Sequence, residues 1–429
     1  MVTDVITADV EPLVRARPEL SGAWLLSAGM LVSGALTYAF HLLVARTLGP
    51  ADFGRIAVLW AAVFLIATAI FRPLEQTTAR AIADRRARGE DARSVLRSVA
   101  TVCLGAMVAA GCVMGVFWGV LTQRLFEGDD FLTIMLAIGI VLFSAVYIGR
   151  GILGGVRWFR GYAASLCIDG VTRMLMAAPL VLVASERVAA VAVIGAGLIG
   201  IGAPFAARAG KLRRLLRGRP TAPFPVRAAV AFAAPASLIS TVDQMLVNGG
   251  PLLVAAGGGP HATTAAGLVF AATMIVRAPV YVFQGVAASL LANLTYLNAT
   301  ADAARMRAAV ARIAGLMLVA GAVTAILAVT VGPLLLRLLF GPTYLADRAQ
   351  LGALGTGVGL YLAASTLSQA LLATDRGGRA SVAWVISLVV FIGLYTITPG
   401  APLSRIGAAF LAAAITNLLL LAVAVARAR

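Results

Sequence analysis

Twelve long apolar stretches separated by short connectors organise this 429-residue chain, and very few folds accommodate that pattern. An α-helix needs about 20 consecutive apolar residues to cross the hydrocarbon core of a bilayer. Helices are expected at about 22–45, 55–82, 98–122, 131–149, 162–184, 188–207, 228–255, 265–292, 311–336, 351–373, 380–398 and 405–426. Only 12% of the residues are charged, against roughly a quarter in soluble domains. The connectors are too short to hold soluble domains. The chain therefore reads as an all-α polytopic membrane protein.

The net charge of +17 raises the question of nucleic acid, and the placement of the charge answers it. Of the 35 basic residues, 26 fall in alternate connectors that share one side, 7 in connectors on the other side, and Arg173 and Arg277 inside helices. This is the positive-inside bias of a membrane protein, not a basic groove for DNA. It places both termini in the cytoplasm. Arginine is used almost to the exclusion of lysine, in an alanine-rich chain, as in GC-rich bacterial genomes; the expected location is a bacterial plasma (inner) membrane. The first 20 or so residues resemble no cleavable signal peptide, so the first helix is expected to be retained. Cys103, Cys112 and Cys167 all lie in apolar stretches without metal-ligand spacing and read as small hydrophobes.

The segment 208–227 is basic and contains Pro220, Pro223 and Pro225, which interrupt any helix. It divides the chain into residues 1–207, with the first six helices, and residues 228–429, with the last six. The turn Gly49-Pro50 with Gly54 beyond it is echoed by Gly259-Pro260 with Gly267 beyond it. Two six-helix bundles with a site between them are a recurrent transporter plan.

Several segments in joint order resemble the polysaccharide flippase branch of the multidrug/oligosaccharidyl-lipid/polysaccharide (MOP) exporter superfamily. They are Leu48-Gly49-Pro50-Ala51-Asp52-Phe53-Gly54, the stretch from Arg150-Gly151 to Phe159-Arg160, Pro235 with Asp243 and Asn248, and Leu339-Phe340-Gly341-Pro342-Thr343-Tyr344. The resemblance implies two six-helix lobes around a central cavity that opens alternately to each side. It also implies a polyprenyl-pyrophosphate-linked saccharide as cargo, moved from the inner to the outer leaflet.

Ionisable residues inside a bilayer cost at least a few kcal/mol each, so each needs a reason. Arg277, followed by Tyr281 and Gln284, lies near the middle of the expected helix 265–292. Its planar guanidinium suits a phosphate, and the competing reading is an ion pair with Asp243. If the second helix continues past Pro73, Arg72 and Gln76 share one face beside Glu75; if it ends there, all three are interfacial. Asp169 and Arg173 are four residues apart on one helix, either as a self-neutralising structural pair or as a cargo-gripping arginine held by its acid. Asp243, with Gln244 and Asn248 nearby, is the candidate for ion coupling, as are Asp169 and Glu75. His41 reads as a hydrogen-bonded structural histidine, with titration near neutrality as the alternative.

The expected substrate-binding set is Arg277, Arg72, Arg173, Gln76, Asn248, Tyr281 and Gln284. No catalytic residue, metal or cofactor is expected, and no phosphate-binding P-loop points to ATP. Two other functions remain open: an ion-coupled multidrug or metabolite exporter of the same superfamily, and a polymerase or ligase acting on the same lipid-linked substrate. The second would need a large outer loop bearing catalytic groups, and the longest outer connector, about 337–350, is short. Expected partners are the lipid-linked glycan, membrane lipids, and glycan polymerases or glycosyltransferases, but not nucleic acid. The protein is expected to act as a monomer.

Overall fold

The computed structural model describes residues 18–259, 261–277, 280, 303–374 and 376–427. Helix α1 spans Pro18–Leu48 and α2 spans Pro50–Ala87. Gly49 turns the chain between them at φ +80°, a region that glycine enters without a Cβ penalty.

Helix α2 runs through Pro73, as the expected span 55–82 requires, and extends past that span at both ends. A proline removes one backbone donor and crowds the carbonyl four residues back. The preceding turn, Ala67–Phe71, opens into a π-helical form, and the helix then continues as Arg72–Ala87. Arg72, Glu75 and Gln76 are therefore helical residues.

Helix α3 (Arg93–Val116) breaks at Phe117 and resumes as α4 (Trp118–Leu125). Helix α5 (Asp130–Gly155) is capped by the Asp129 carboxylate, which accepts from the backbone N–H groups of Phe131 and Leu132. Helix α6 (Phe159–Ala177) ends in a 3₁₀ turn, and α7 (Glu186–Leu215) is kinked at Arg208. The second half comprises α8 (Val226–Gly257), α9 (Ala262–Val276), α10 (Ala303–Thr330), α11 (Gly332–Phe340), α12 (Arg348–Ala373), α13 (Gly377–Ile397) and α14 (Pro402–Ala426).

Among the described residues, eleven helices are long and apolar enough to cross a membrane, and α9 is a shorter apolar helix where the eighth span was expected. The chain is a multi-pass membrane protein. Leu104, Val108 and Val116 on α3 and Val319 and Ile326 on α10 are exposed, as side chains facing lipid are.

Helices α5, α6 and α7 pack with α1 and α2, while α10, α12, α13 and α14 pack with one another. The two groups meet chiefly where α2 lies against α8 and α9. At the arginine-poor end that contact is backbone to backbone: a Cβ on Gly54 would lie 1.9 Å from the Thr263 carbonyl oxygen. Phe53 there packs against Phe270, Phe340 and Tyr344, with ring centroids 5.8–6.0 Å away. The Glu127 carboxylate accepts from Thr263 Oγ1 at 2.7 Å, and Arg46 Nε donates to the Leu339 carbonyl at 2.9 Å.

The basic segment expected at 208–227 is helical as far as Leu215, which leaves 216–225 to join the halves. This joint is held to the loop between α2 and α3. Asp91 N–H donates to the Arg219 carbonyl at 2.9 Å, Arg219 N–H to the Gly89 carbonyl at 2.8 Å, and Ala92 N–H to the Leu216 carbonyl at 3.0 Å. Arg85, nearly buried, donates to the carbonyls of Asp91 and Ala222 and to Ser94 Oγ.

Candidate functional site

Two polar clusters sit inside the membrane-spanning bundle. The first belongs to the first half. Asp169 on α6 receives Arg173 Nη2 at 2.6 Å from one turn on, the i,i+4 pair its spacing predicts. Its other oxygen receives Arg150 Nη2 of α5 at 3.1 Å. Arg173 also donates to Thr37 Oγ1 on α1 at 3.1 Å, and its guanidinium carbon lies 4.9 Å from the Trp60 ring centre on α2. With 2% of its surface exposed, Arg173 is held between its own helix, α1 and α2. Its geometry is that of a tie between helices.

Arg150 was placed by its sequence in a cytoplasmic connector. The structure corrects this, because α5 runs on to Gly155 and carries Arg150 within it. Gly151 is what allows the packing there: a Cβ on it would lie 2.7 Å from the Glu75 carbonyl oxygen of α2. Two arginines thus share one carboxylate, and the cluster keeps a net positive charge.

Beside it, Tyr162 of α6 donates to Glu75 Oε1, and Thr68 and Tyr147 share a hydrogen bond of 3.3 Å. Arg72 is half-buried and Gln76 exposed. Arg72 makes no hydrogen bond or ion pair with a described residue, and lies within electrostatic reach of Glu75 on its own helix and Asp243 in the other half.

The second cluster is a chain of side chains on α8, α9 and α12. Arg277 Nη2 donates to Asn248 Oδ1 at 2.6 Å, and Asn248 Nδ2 donates to Gln244 Oε1 at 2.5 Å. Gln244 Nε2 donates to Asp243 Oδ2 at 3.1 Å, and Tyr361 donates to Asp243 Oδ1 at 2.5 Å. The direct Asp243–Arg277 pair weighed from the sequence is not formed; two amides stand between them. Arg277 was expected near the middle of a helix and instead directly follows α9, which ends at Val276. Pro279, two residues on, disfavours an uninterrupted helix. Arg277 takes up the favourable position for a cation at the carbonyl end of a helix.

Tyr281 and Gln284 lie outside the described residues. His41 is buried, donates from Nδ1 to the Thr37 carbonyl at 2.8 Å, and packs edge-on to Trp60 at 4.5 Å. That is the structural reading of His41. Arg150, Tyr162 and Tyr361 were missed from the sequence. A glycine at 151 next to a charge was the one available sign of close helix packing at Arg150.

With this geometry in hand, the chain can be set against known proteins. Its backbone superposes on an inward-facing multidrug resistance MATE family transporter of the MOP superfamily with a TM-score of 0.70, covering 94% of this chain and 98% of that one at 16% identity. An outward-facing MATE transporter gives 0.68 at 16% identity, over 96% and 95% of the two chains. A mutant of the Vibrio cholerae MATE transporter VcmN gives 0.65 at 14% identity, over 95% and 97%. The fold is that of the MATE transporters. No protein-family model matches the sequence. Uncharacterized protein Rv1510 of Mycobacterium tuberculosis is 27% identical over 394 residues, 87% of this chain and 84% of that protein. Uncharacterized protein Mb3654 of Mycobacterium bovis is 28% identical over 382 residues, 86% and 83% of the two.

Proposed function

We propose that this chain is an alternating-access flippase that moves a polyprenyl-pyrophosphate-linked saccharide from the inner to the outer leaflet of a bacterial plasma membrane. The observation that carries this reading is the state of Arg277 and Arg72. Arg277 spends a guanidinium N–H on a neutral amide, and no acid among the described residues pairs with it. Arg72 is likewise unpaired, on the helix that faces the other half. Cationic groups held in a low-dielectric interior with no carboxylate in direct contact suit a diphosphate, and arginine offers it planar, two-point hydrogen bonding.

Among the described residues, four arginines (72, 150, 173 and 277) and three acids (Glu75, Asp169 and Asp243) occupy the interior, and Asp169 is already taken by two of the arginines. Arg72, Arg277, Gln76 and Asn248 form the cargo-binding set in this reading, and Arg173 holds the scaffold. The arginine-poor end is the outer one, by the positive-inside rule, and its contact between α2 and α9 is the outer closure. Alternation needs no bond chemistry; it needs a cargo that binds the two states unequally. Glycan polymerases and glycosyltransferases are the partners such a cargo would bring.

A second reading, an ion-coupled multidrug or metabolite exporter, draws on Asp243, whose hydrogen-bond partners Tyr361 and Gln244 are both neutral. The two readings separate in proteoliposomes. A fluorescent polyprenyl-pyrophosphate saccharide loaded in one leaflet should become accessible to an added glycosidase with the wild type, and about 10-fold more slowly with Arg277→Ala, the loss of a charge-assisted hydrogen bond. No acceleration over protein-free vesicles, together with proton-driven efflux of a cationic dye that Asp243→Asn abolishes, would instead make the protein an exporter.

A further inference from the structure

A cavity of about 890 Å³ opens between α2, α3, α4, α5 and α8, and none of the residues of either polar cluster lines it. Its walls are almost wholly aliphatic. On α3 the lining includes the small residues Ala106, Ala109 and Ala110, so over that stretch the helix leaves a trough where larger side chains would have closed it. Along α8 the lining runs from Met245 to Ala256, about 16 Å at 1.5 Å per residue. That is about half of a 30 Å hydrocarbon core, one leaflet deep.

The groove has one charged lining residue, Arg124, at its arginine-poor end. Arg124 is exposed and has no hydrogen-bond or ion-pair partner among the described residues. The acids close to it in sequence are all committed elsewhere. Glu127 accepts from Thr263, Asp129 caps α5, and Asp130 accepts from Trp118 Nε1 at 3.1 Å. The guanidinium lies over Gly258, where a Cβ would come within 2.6 Å of Nη1. The cation is therefore seated at the mouth of the groove with its charge unanswered.

We propose that this groove binds an anionic phospholipid of the leaflet at the arginine-poor end, with its phosphate on Arg124 and one acyl chain in the trough. The match is one of shape and charge: an apolar channel one leaflet deep, ending at membrane-interface depth in an arginine without an acid. The trough shelters an acyl chain from water, but bulk lipid offers the chain the same environment. Selectivity must therefore come from the headgroup charge at Arg124. The bound chain lies between α3 and α8, and so between the two halves of the molecule.

The test is native mass spectrometry on delipidated protein titrated with phosphatidylglycerol or phosphatidylcholine of identical chains. The wild type should retain at least one phosphatidylglycerol several-fold more strongly than phosphatidylcholine. Arg124→Gln should erase that preference, and Ala109→Trp, which fills the trough, should lower retention of both. Val113→Phe on the same wall serves if Ala109→Trp does not fold. Arg277→Ala should change none of this, which separates the groove from the cargo reading above. Equal retention of the two lipids, or retention indifferent to Arg124→Gln and to a filled trough, would overturn the proposal. So would a phosphatidylglycerol preference lost with Arg277→Ala as fully as with Arg124→Gln, since the groove would then belong to the cargo site.

Discussion

Asp243 and Arg277 face each other through two side-chain amides, Gln244 and Asn248, and each amide can face only one way. A guanidinium only donates, so it fixes Oδ1 of Asn248 toward itself and Nδ2 away. A carboxylate only accepts, so it fixes Nε2 of Gln244 toward itself and Oε1 away. The remaining donor and acceptor then meet at 2.5 Å. The amide dipoles align between the two ions and reinforce each other in a medium of low dielectric constant. The effect is to couple Asp243 to Arg277 without letting them neutralise each other at contact.

Replacing one amide by an acid should undo that separation. Asn248→Asp would give Arg277 a carboxylate at the present 2.6 Å position and leave Gln244 between two acids. Cargo transport should fall about 10-fold or more, the size of a lost charge-assisted hydrogen bond, while the protein stays folded. Arg277→Lys should give an intermediate rate, since it keeps the charge and loses the planar fork. Initial rates in the proteoliposome assay, with melting temperatures as the folding control, check both; an unchanged rate in Asn248→Asp would remove Arg277 from the cargo site.

The Arg150–Asp169–Arg173 cluster makes a claim on stability instead. Asp169→Asn would leave two arginines without their shared acid at a position only 6% exposed. Removing one partner of a buried pair costs about 3–5 kcal/mol. Thermal unfolding in detergent should therefore drop by several degrees. The double variant Asp169→Asn with Arg173→Met should recover part of the loss, because it also removes the more deeply buried orphan charge. A single variant that melts like the wild type would show that the cluster is not a tie.

What could be read from the sequence follows from the range of the interactions. The positions of eleven spans were legible because spanning lengths are set by the bilayer within one stretch of chain; the eighth was not, since among the described residues its helix stops at Val276. The Asp169–Arg173 pair was legible because four residues is one turn. Arg150 was not, since a charge at the end of an apolar run looks the same at an interface or inside a helix that extends one turn further. The continuation of α2 past Pro73 was one of two readings, because the π turn that accommodates the proline is announced by no residue in 67–71. Tyr361 reaches Asp243 from 118 residues away, and local periodicity has no access to such a contact.

The joint between the halves gives a prediction that does not depend on cargo. Residues 216–225 contain one trypsin site, the Arg217–Gly218 bond, since Arg219 precedes Pro220, and the backbone of Arg219 beside it is bonded to Gly89 and Asp91. Arg85 holds the same joint at the Ala222 carbonyl, 2.8 Å away. Arg85→Ala should release it, since a buried arginine that bridges two segments leaves three acceptors unsatisfied. Limited trypsin digestion should then cut the variant into two halves several-fold faster than the wild type, with the cut mapped by mass spectrometry to the bond after Arg217. Equal cleavage rates would mean that the backbone bonds alone hold the joint.

The contact of α2 with α9 at the arginine-poor end leaves no room for a side chain on Gly54. A Cβ there would meet the Thr263 carbonyl carbon at 2.5 Å as well as its oxygen, and both belong to backbone that cannot swing aside. Gly54→Ala must therefore push the two helices apart, and it does so where Phe53 anchors Phe270, Phe340 and Tyr344. The strain falls only on the arrangement closed at this end. An arrangement in which α2 and α9 have parted tolerates the methyl group, so the substitution acts as a differential penalty on one state of an equilibrium. Spin labels on Ala51→Cys and His261→Cys, in a background lacking Cys103, Cys112 and Cys167, report the separation. The wild type should give a narrow short distance, and Gly54→Ala a distribution shifted to longer values with the protein still folded. A distribution that does not move would mean that the helices absorb the methyl group by local adjustment, and that this end of the molecule is not the one that opens.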